Sequence, residues 1–342
     1  MVGPCKPALN MYVLGGYHHH IEFLLESTRT DLTVVFIAEE RRKRKMPFPY
    51  KTVLITGATA GIGRAWTERM VEHGIFVVAV GRRRERLDEL AARFGDKIGV
   101  EEHDVADLDG LASWAREMTT KYPTLDCIVA NAGVQNTTNF ATLTKPGADG
   151  TALANTITSE VTLNYLSPVH TMIHFLPHLS RLGAAGKPTA VVLVTSGLAL
   201  VPMSRCGNYC ATKAALHSFA WTLRSQLRQQ REDEGGDSSS SSVQTRVIEV
   251  VPPAVKTELH SRQPDLVAAG AGDFGMELDE FTDETWAALS GDEQQDEILV
   301  GPTKRHAKLV DATRESFVMM DKMIREQGKV TGKEAGWNGG GK

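Results

Sequence analysis

The sequence predicts an α/β domain whose parallel sheet is wound with helices on both faces. Short runs rich in valine and isoleucine recur from Thr52 onward, separated by stretches of helical period. Strands that are apolar throughout, rather than alternating, belong to sheets buried on both sides. A glycine-rich turn follows the first of these runs, where such domains begin a helix. With 42% hydrophobic and 23% charged residues among 342, the chain has material for a sizeable core.

In order, "TVLIT" (52–56) is the first strand and a helix follows from Ile62 to about 73. "IFVVAV" (75–80) is the second strand, followed by a charged helix over 85–94. "IGVEEHDV" then leads into a helix over 108–121, and "LDCIVANAG" (125–133) is the next strand. A long amphipathic segment covers 155–181, "TAVVLVTS" (189–196) is strand-like, 207–229 is helical and "VQTRVIEVV" (243–251) is strand-like. "REDEGGDSSSSS" (231–242) is polar and of low complexity, so it reads as a flexible insertion. Beyond about 260 the sequence turns loop-rich and acidic, with helices around 279–290 and 304–326 and a frayed end, "GWNGGGK".

Residues 1–50 hold no persistent period. They contain "HHH" at 18–20 and the basic run "RRKRK" at 41–45, and they read as a disordered or irregular leader. A nuclear-import or acidic-surface patch is the other reading of the basic run. Glu22, Glu26, Asp31, Glu39 and Glu40 argue against a mitochondrial presequence, and Met46 is a candidate start. The expected organisation is therefore a leader (1–50), one domain (51–301) and a C-terminal helix with a frayed tail (302–342).

A net charge of −4 leaves no global basic footprint for nucleic acid. "LTVVFIA", bounded by Asp31 and Glu39, is far shorter than the roughly 20 residues a membrane helix needs. Cys5, Cys127, Cys206 and Cys210 are too few and scattered for a disulfide framework, and they suit reduced thiols in the cytoplasm. No histidine or carboxylate stands at ligand spacing beside Cys206 and Cys210, so no metal site is expected.

"TGATAGIG" (56–63) joins the first strand to the first helix. Gly57 permits the sharp turn, while Gly61 and Gly63 remove side chains where backbone must approach a pyrophosphate. The helix N-terminus adds unpaired N–H groups and positive partial charge. The domain is thus of Rossmann type, and a dinucleotide is its expected ligand. After the second strand stand Arg82, Arg83 and Arg84, where many NAD-binding domains carry an acid for the ribose. Arginines in a first helical turn oppose the helix dipole unless an anion offsets them. A 2′-phosphate is such an anion, which points to NADP with Arg82 as its contact.

"NYCATKAAL" (208–216) sets Tyr209 and Lys213 four apart, on one face of a helix. A nearby ammonium stabilises a phenolate, so the pair is candidate proton-transfer machinery. His217, one turn on, reads as a packed or surface residue.

With the glycine turn, these residues resemble the short-chain dehydrogenase/reductase family over about 50–260. "ANAG" (130–133) is similar to its N-N-A-G strand end, and "HDV" (103–105) to the pair that brackets adenine. "VTLNYLSPV" (161–169) places Asn164 at the family's asparagine, and "VVLVTSGLALVP" places Ser196 thirteen residues before Tyr209. "VVPPAVKTEL" (250–259) resembles the segment that closes on the nicotinamide. "SGLALVP", "YCATKAALHS", "LDEF" (278–281) and "EILVG" (297–301) resemble the DltE-like oxidoreductases, extending the likeness to about 301. Two departures stand out: Pro252-Pro253 replaces a Pro-Gly, as in that subgroup, and Ala60 replaces a residue that is basic in many NADP-preferring relatives.

The resemblance implies an NADP-dependent oxidoreductase acting on a small carbonyl or alcohol. Tyr209 would be its acid/base and Lys213 would lower the phenol's pKa. Ser196 would hold the carbonyl oxygen, and Asn164 would anchor a water that supplies protons. Cofactor contacts would come from Gly57, Gly61, Ile62 and Gly63 at the turn, Arg82, Asp104 and Val105 at the adenosine end, and Asn131, Ala132 and Gly133. Tyr209, Lys213, Val255 and Thr257 would complete them, with 260–280 as the substrate loop. A homodimer or homotetramer through 155–181 and 207–229 is implied as well. The alternatives are an NAD-dependent alcohol dehydrogenase and a non-catalytic NAD(P)-sensing protein.

Overall fold

The computed structural model describes residues 48–233, 244–261, 263–291, 293 and 295–331. The leader up to residue 47, most of the insertion expected at 231–242 and the tail beyond 331 lie outside the described residues. Among the described residues, seven strands form one parallel sheet in the order β3-β2-β1-β4-β5-β6-β7. They are β1 (Thr52–Thr56), β2 (Phe76–Gly81), β3 (Ile98–Glu102), β4 (Cys127–Ala130), β5 (Ala190–Val194), β6 (Arg246–Val251) and β7 (Glu297–Leu299). The strand order reverses between β1 and β4, which opens a crevice at their carboxyl ends.

The apolar strand runs serve both faces. Val53, Ile55, Val77 and Ala79 join the core on one side; Leu54, Val78, Val80 and Ile128 join the core on the other. On the first face, helix α1 (Gly61–Glu72) and α2 (Arg84–Phe94) bury Trp66, Met70, Leu87 and Leu90. On the second, α3 (Leu111–Lys121) buries Trp114 and Met118 beside Phe175.

The structure departs from expectation in three places. The segment read as one helix over 155–181 is α4 (Thr151–Val161), a π turn (Thr162–Leu166) and α5 (Ser167–Ala184). β7 was not expected: its three residues are too short for a period, and pairing with β6 alone defines it. Phe48 and Tyr50, counted with the leader, are core residues, and their rings meet edge to face at 4.9 Å.

Past β5 come α6 (Gly207–Asp233), the short α7 (Glu258–Ser261) and α8 (Pro264–Ala268), α9 (Leu278–Leu289) and α10 (Ala307–Thr331). Among the described residues no helix is long and apolar enough to cross a membrane. α9 closes the first face: Phe281, fully buried, stacks on Trp66 at 6.0 Å, and the indole N–H donates to Thr285 Oγ1 at 3.0 Å. Phe281→Ala would leave a cavity against Trp66 and should cost about 3–5 kcal/mol in urea-induced unfolding.

Candidate active site

The glycine turn sits at the carboxyl end of β1. Gly57 and Gly61 have φ of +71° and +51°, conformations that disfavour a side chain. A Cβ on Gly63 would lie 2.3 Å from the Gly57 carbonyl oxygen and 2.5 Å from Asn131 Nδ2, so only glycine fits. Asn131 is drawn in by Thr56: its Nδ2 donates to the Thr56 carbonyl at 3.0 Å. The backbone N–H groups of Asn131 and Ala132 both donate to Thr56 Oγ1 at 3.1 Å. Helix α1 starts at Gly61 with no side-chain cap and no acid in its first turn, which leaves its amides for an anion. Ile62 and Thr257 border the same turn, Thr257 Cβ lying 3.2 Å from where a Gly61 Cβ would be. This cradle, closed to any added methyl, fits a pyrophosphate.

The arginines sit differently from expectation. Helix α2 begins at Arg84, so Arg82 and Arg83 lie in the loop before it and the dipole argument does not apply to them. Arg83 is tied to Thr59 Oγ1 (3.1 Å) and Glu258 (2.8 Å), and Arg86 to the same carboxylate (2.7 Å). Arg84 pairs with Asp88. Arg82 is 63% exposed and, among the described residues, reaches only Asp104, at 3.4 Å, so it is the loosest guanidinium of the group. Asp104 also accepts from the Ala106 N–H, and Val105 beside it is buried.

One cavity of about 1500 Å³ runs from this turn past Arg82, Asp104 and Gly133 to Ser196, Tyr209 and Lys213, and Val255 and Thr257 also line it. Asn164 lies in the π turn, an element often found at functional sites. Its Nδ2 donates to the Val134 carbonyl (2.8 Å) and Thr212 Oγ1 (3.2 Å), and its Oδ1 accepts from the Val134 N–H (2.9 Å). Ser196 follows β5 in an extended conformation and accepts from the Leu198 N–H at 3.1 Å. Lys213 Nζ donates to the Val194 carbonyl at 2.8 Å and lies 5.8 Å from the centre of the Tyr209 ring.

Burial governs the proton affinities. Desolvation pushes the Tyr209 phenol above its usual range; a hydrogen bond with Ser196 opposes this, and Cys206, Cys210 and Glu160 add to it. Desolvation brings Lys213 down to about 8, against the pull of Glu160. The net direction is upward, opposite to the expected lowering, because a buried phenolate loses its hydration.

Two fully buried carboxylates escaped the sequence reading. Glu160 accepts from the Asn136 N–H, Asn136 Nδ2 and Asn208 Nδ2; Glu249 takes Thr195 Oγ1 at 2.6 Å and His217 Nδ1 at 2.8 Å. Each had a signal: Glu160 stands four residues before Asn164, and Glu249 interrupts an apolar strand. His217 is packed, its ring 4.5 Å from that of Trp221; burial pushes its pKa down, Glu249 pulls it up, and the net direction is up. The Cys127, Cys206 and Cys210 thiols are free and buried, and Cys5 lies outside the described residues. Among the described residues no group of three or more histidines, cysteines or acids could hold a metal ion. The expected substrate loop lines the cavity through His260, Gln263, Phe274 and Met276, and Arg205 anchors it by pairing with Asp265 at 2.6 Å.

A parallel sheet with this reversal, its glycine cradle and the Ser196, Tyr209 and Lys213 cluster defines a dinucleotide-fold oxidoreductase. The chain belongs to the short chain dehydrogenase family, whose model matches residues 51–265. It is 39% identical over 223 residues to the uncharacterized oxidoreductase DltE of Bacillus subtilis (strain 168), covering 64% of this chain and 77% of that protein. Serine 3-dehydrogenase of Agrobacterium fabrum is 34% identical over 176 residues, 52% of this chain and 66% of its own length. Among solved structures, a short chain dehydrogenase from Burkholderia cenocepacia J2315 in complex with NADP has a TM-score of 0.59 at 23% identity, covering 80% of this chain and 97% of that one. One from Burkholderia phymatum in complex with NAD has a TM-score of 0.61 at 20% identity, covering 80% and 96%. At these identities the two structures speak for the fold.

Lys213 binds its proton less tightly folded, near 8, than unfolded, near 10.5, so stability should rise with pH between about 8 and 10.5 and level off below 8. Denaturant unfolding across the pH range should show this rise in the native protein and lose it in Lys213→Met.

Proposed function

We propose that the protein is an NADP-dependent oxidoreductase that interconverts a small carbonyl compound and its alcohol, with Tyr209 as acid/base. The observation that carries this reading is the single cavity joining the glycine cradle to Ser196, Tyr209 and Lys213. A bound nicotinamide would supply or accept the hydride. Gly57, Gly61, Ile62 and Gly63 would hold the pyrophosphate, and Asp104, Val105, Asn131, Ala132 and Gly133 would border the adenosine and ribose.

The chain's own groups handle the proton. Tyr209 keeps its proton at neutral pH and donates it to the substrate oxygen during reduction. Ser196, which lines the same cavity as Tyr209, is placed to hold that same oxygen. Lys213, its pKa brought down to about 8, replenishes the phenol. The side chain of Asn164 is committed to Val134 and Thr212, so any water it anchors would meet its backbone carbonyl in the π turn. Lys213, Val255 and Thr257 would close on the nicotinamide end, and residues 260–280 on the substrate. We also propose that residues 51–301 work as one catalytic domain in the cytoplasm, as a homodimer or homotetramer, on the strength of the family resemblance.

NADP is preferred over NAD in this reading because Arg82 is exposed and only loosely paired. NADPH should raise the thermal midpoint more than NADH at equal concentration, and Arg82→Ala should erase the difference. An NADH-selective rise would instead identify an NAD-dependent alcohol dehydrogenase.

Tyr209→Phe should reduce turnover of a carbonyl panel by about 100-fold or more while leaving the NADPH-induced rise in midpoint intact. Undiminished turnover would remove Tyr209 from the mechanism. A native protein that binds NADPH yet turns over nothing would point to a nucleotide sensor.

A further inference from the structure

We infer that Glu160 is the countercharge of Lys213, a buried positioning residue that sets how readily the Tyr209–Lys213 pair gives up its proton. The inference rests on the acid/base reading of Tyr209. Glu160 is 0% exposed, and every contact it makes is with a donor: the Asn136 N–H at 2.7 Å, Asn136 Nδ2 at 3.2 Å and Asn208 Nδ2 at 2.6 Å. An ionised carboxylate only accepts, so a cage of amide donors suits the charged form. No cation touches it among the described residues. A buried charge in that position is costly unless an opposite charge lies nearby.

Lys213 presents the complementary problem. It is 4% exposed, its Nζ donates to a neutral carbonyl, and among the described residues no carboxylate contacts it. The two groups stand on α4 and α6: Asn208, which donates to Glu160 at 2.6 Å, is the residue before Tyr209, and Asn164 Oδ1 and Lys213 Nζ converge on Gly133, 3.1 and 3.6 Å from where its Cβ would be. Glu160 also lies one turn before Asn164, so the same helix line carries both. The attraction acts in both directions: the carboxylate holds Lys213 up, and Lys213 holds the carboxylate down against the stronger effect of burial. The other charged or titratable groups around them are Tyr209 and Cys210 from α6, and Cys206 and Arg205 from the turn before it. Asn136 and Gln135, from the loop after β4, are neutral.

Loss of the Glu160 charge should therefore make Lys213 release its proton at lower pH. The test compares the native protein, Glu160→Gln, Lys213→Met and the double variant by denaturant unfolding across pH. Each Lys213-containing protein minus its Lys213→Met counterpart gives the titration of Lys213 with no substrate required. In Glu160→Gln that titration should move by about one pH unit toward acid. The double variant should also be more stable than the two single losses add up to.

An unmoved titration with additive losses would overturn the inference and leave Glu160 as a staple for Asn136 and Asn208. Should Glu160→Gln not fold alone, folding of the double variant would support the countercharge and its failure would overturn it. Because these readings come from stability, they stand apart from the Tyr209→Phe turnover assay. A surviving activity in Tyr209→Phe would remove the acid/base reading whatever Glu160 does.

Discussion

The molecule depends on the knot between Thr56 and Asn131. β1 and β4 are neighbours, yet the chain leaves them in different directions, and something must hold the two exits together. Thr56 accepts two backbone N–H groups from the end of β4, and the Asn131 amide answers by donating to the Thr56 carbonyl. Gly57 and Gly63 lie against that amide so closely that a methyl on either would push it away. The anion cradle is therefore no loose loop. Its shape is set by the strand reversal, and the start of α1 is fixed by the same contacts.

The Tyr209 end of the cavity is built on a different principle, the burial of charge. Lys213, Glu160 and Glu249 are all removed from water, together with the Tyr209 phenol. Such groups are expensive to bury without partners, and each has acquired one suited to its position. Glu249 binds Thr195, the residue before Ser196, and also His217, one turn beyond Lys213. It thereby joins the strand end that carries Ser196 to the helix that carries Tyr209 and Lys213. Desolvation makes the proton affinities sensitive to small charges nearby, and the short network around Glu249 keeps those distances constant.

How much of this was legible in the sequence follows from what is local. The glycine turn, the strands with continuous apolar runs and the spacing of Tyr209 and Lys213 are local patterns, and all could be read. Ser196 and Asn164 became legible only through resemblance, since neither lies near Tyr209 in the chain. Glu160 and Glu249 were passed over because a carboxylate is ordinarily an exposed residue, and their partners, Asn208 and His217, are 48 and 32 residues away. The π turn escaped because a one-residue slip barely changes an amphipathic pattern. β7 escaped because three residues carry no period, and only its neighbour β6 makes them a strand. Arg82 and Arg83 were read as part of a first helical turn but precede α2, so the dipole argument falls away for them.

Pro252-Pro253 shows how a local rule is satisfied by rearranged bonding. A second proline in place of glycine removes an N–H donor and fixes φ, both of which would harm a segment that used that amide. Here the segment relies on other groups. The Pro252 carbonyl accepts from the Gly197 N–H at 2.8 Å, the Ala254 carbonyl accepts from Met276, and the Lys256 N–H donates back to Met276. The amide lost at Pro253 falls between these contacts and is not needed for them. Gly275 supplies the close approach instead: with φ +122°, its absent Cβ would lie 2.5 Å from the Ala254 carbonyl oxygen. The segment beside Ser196 is thus closed by backbone bridges from 275–276, and the close backbone approach is made by Gly275 on the far side of the bridge.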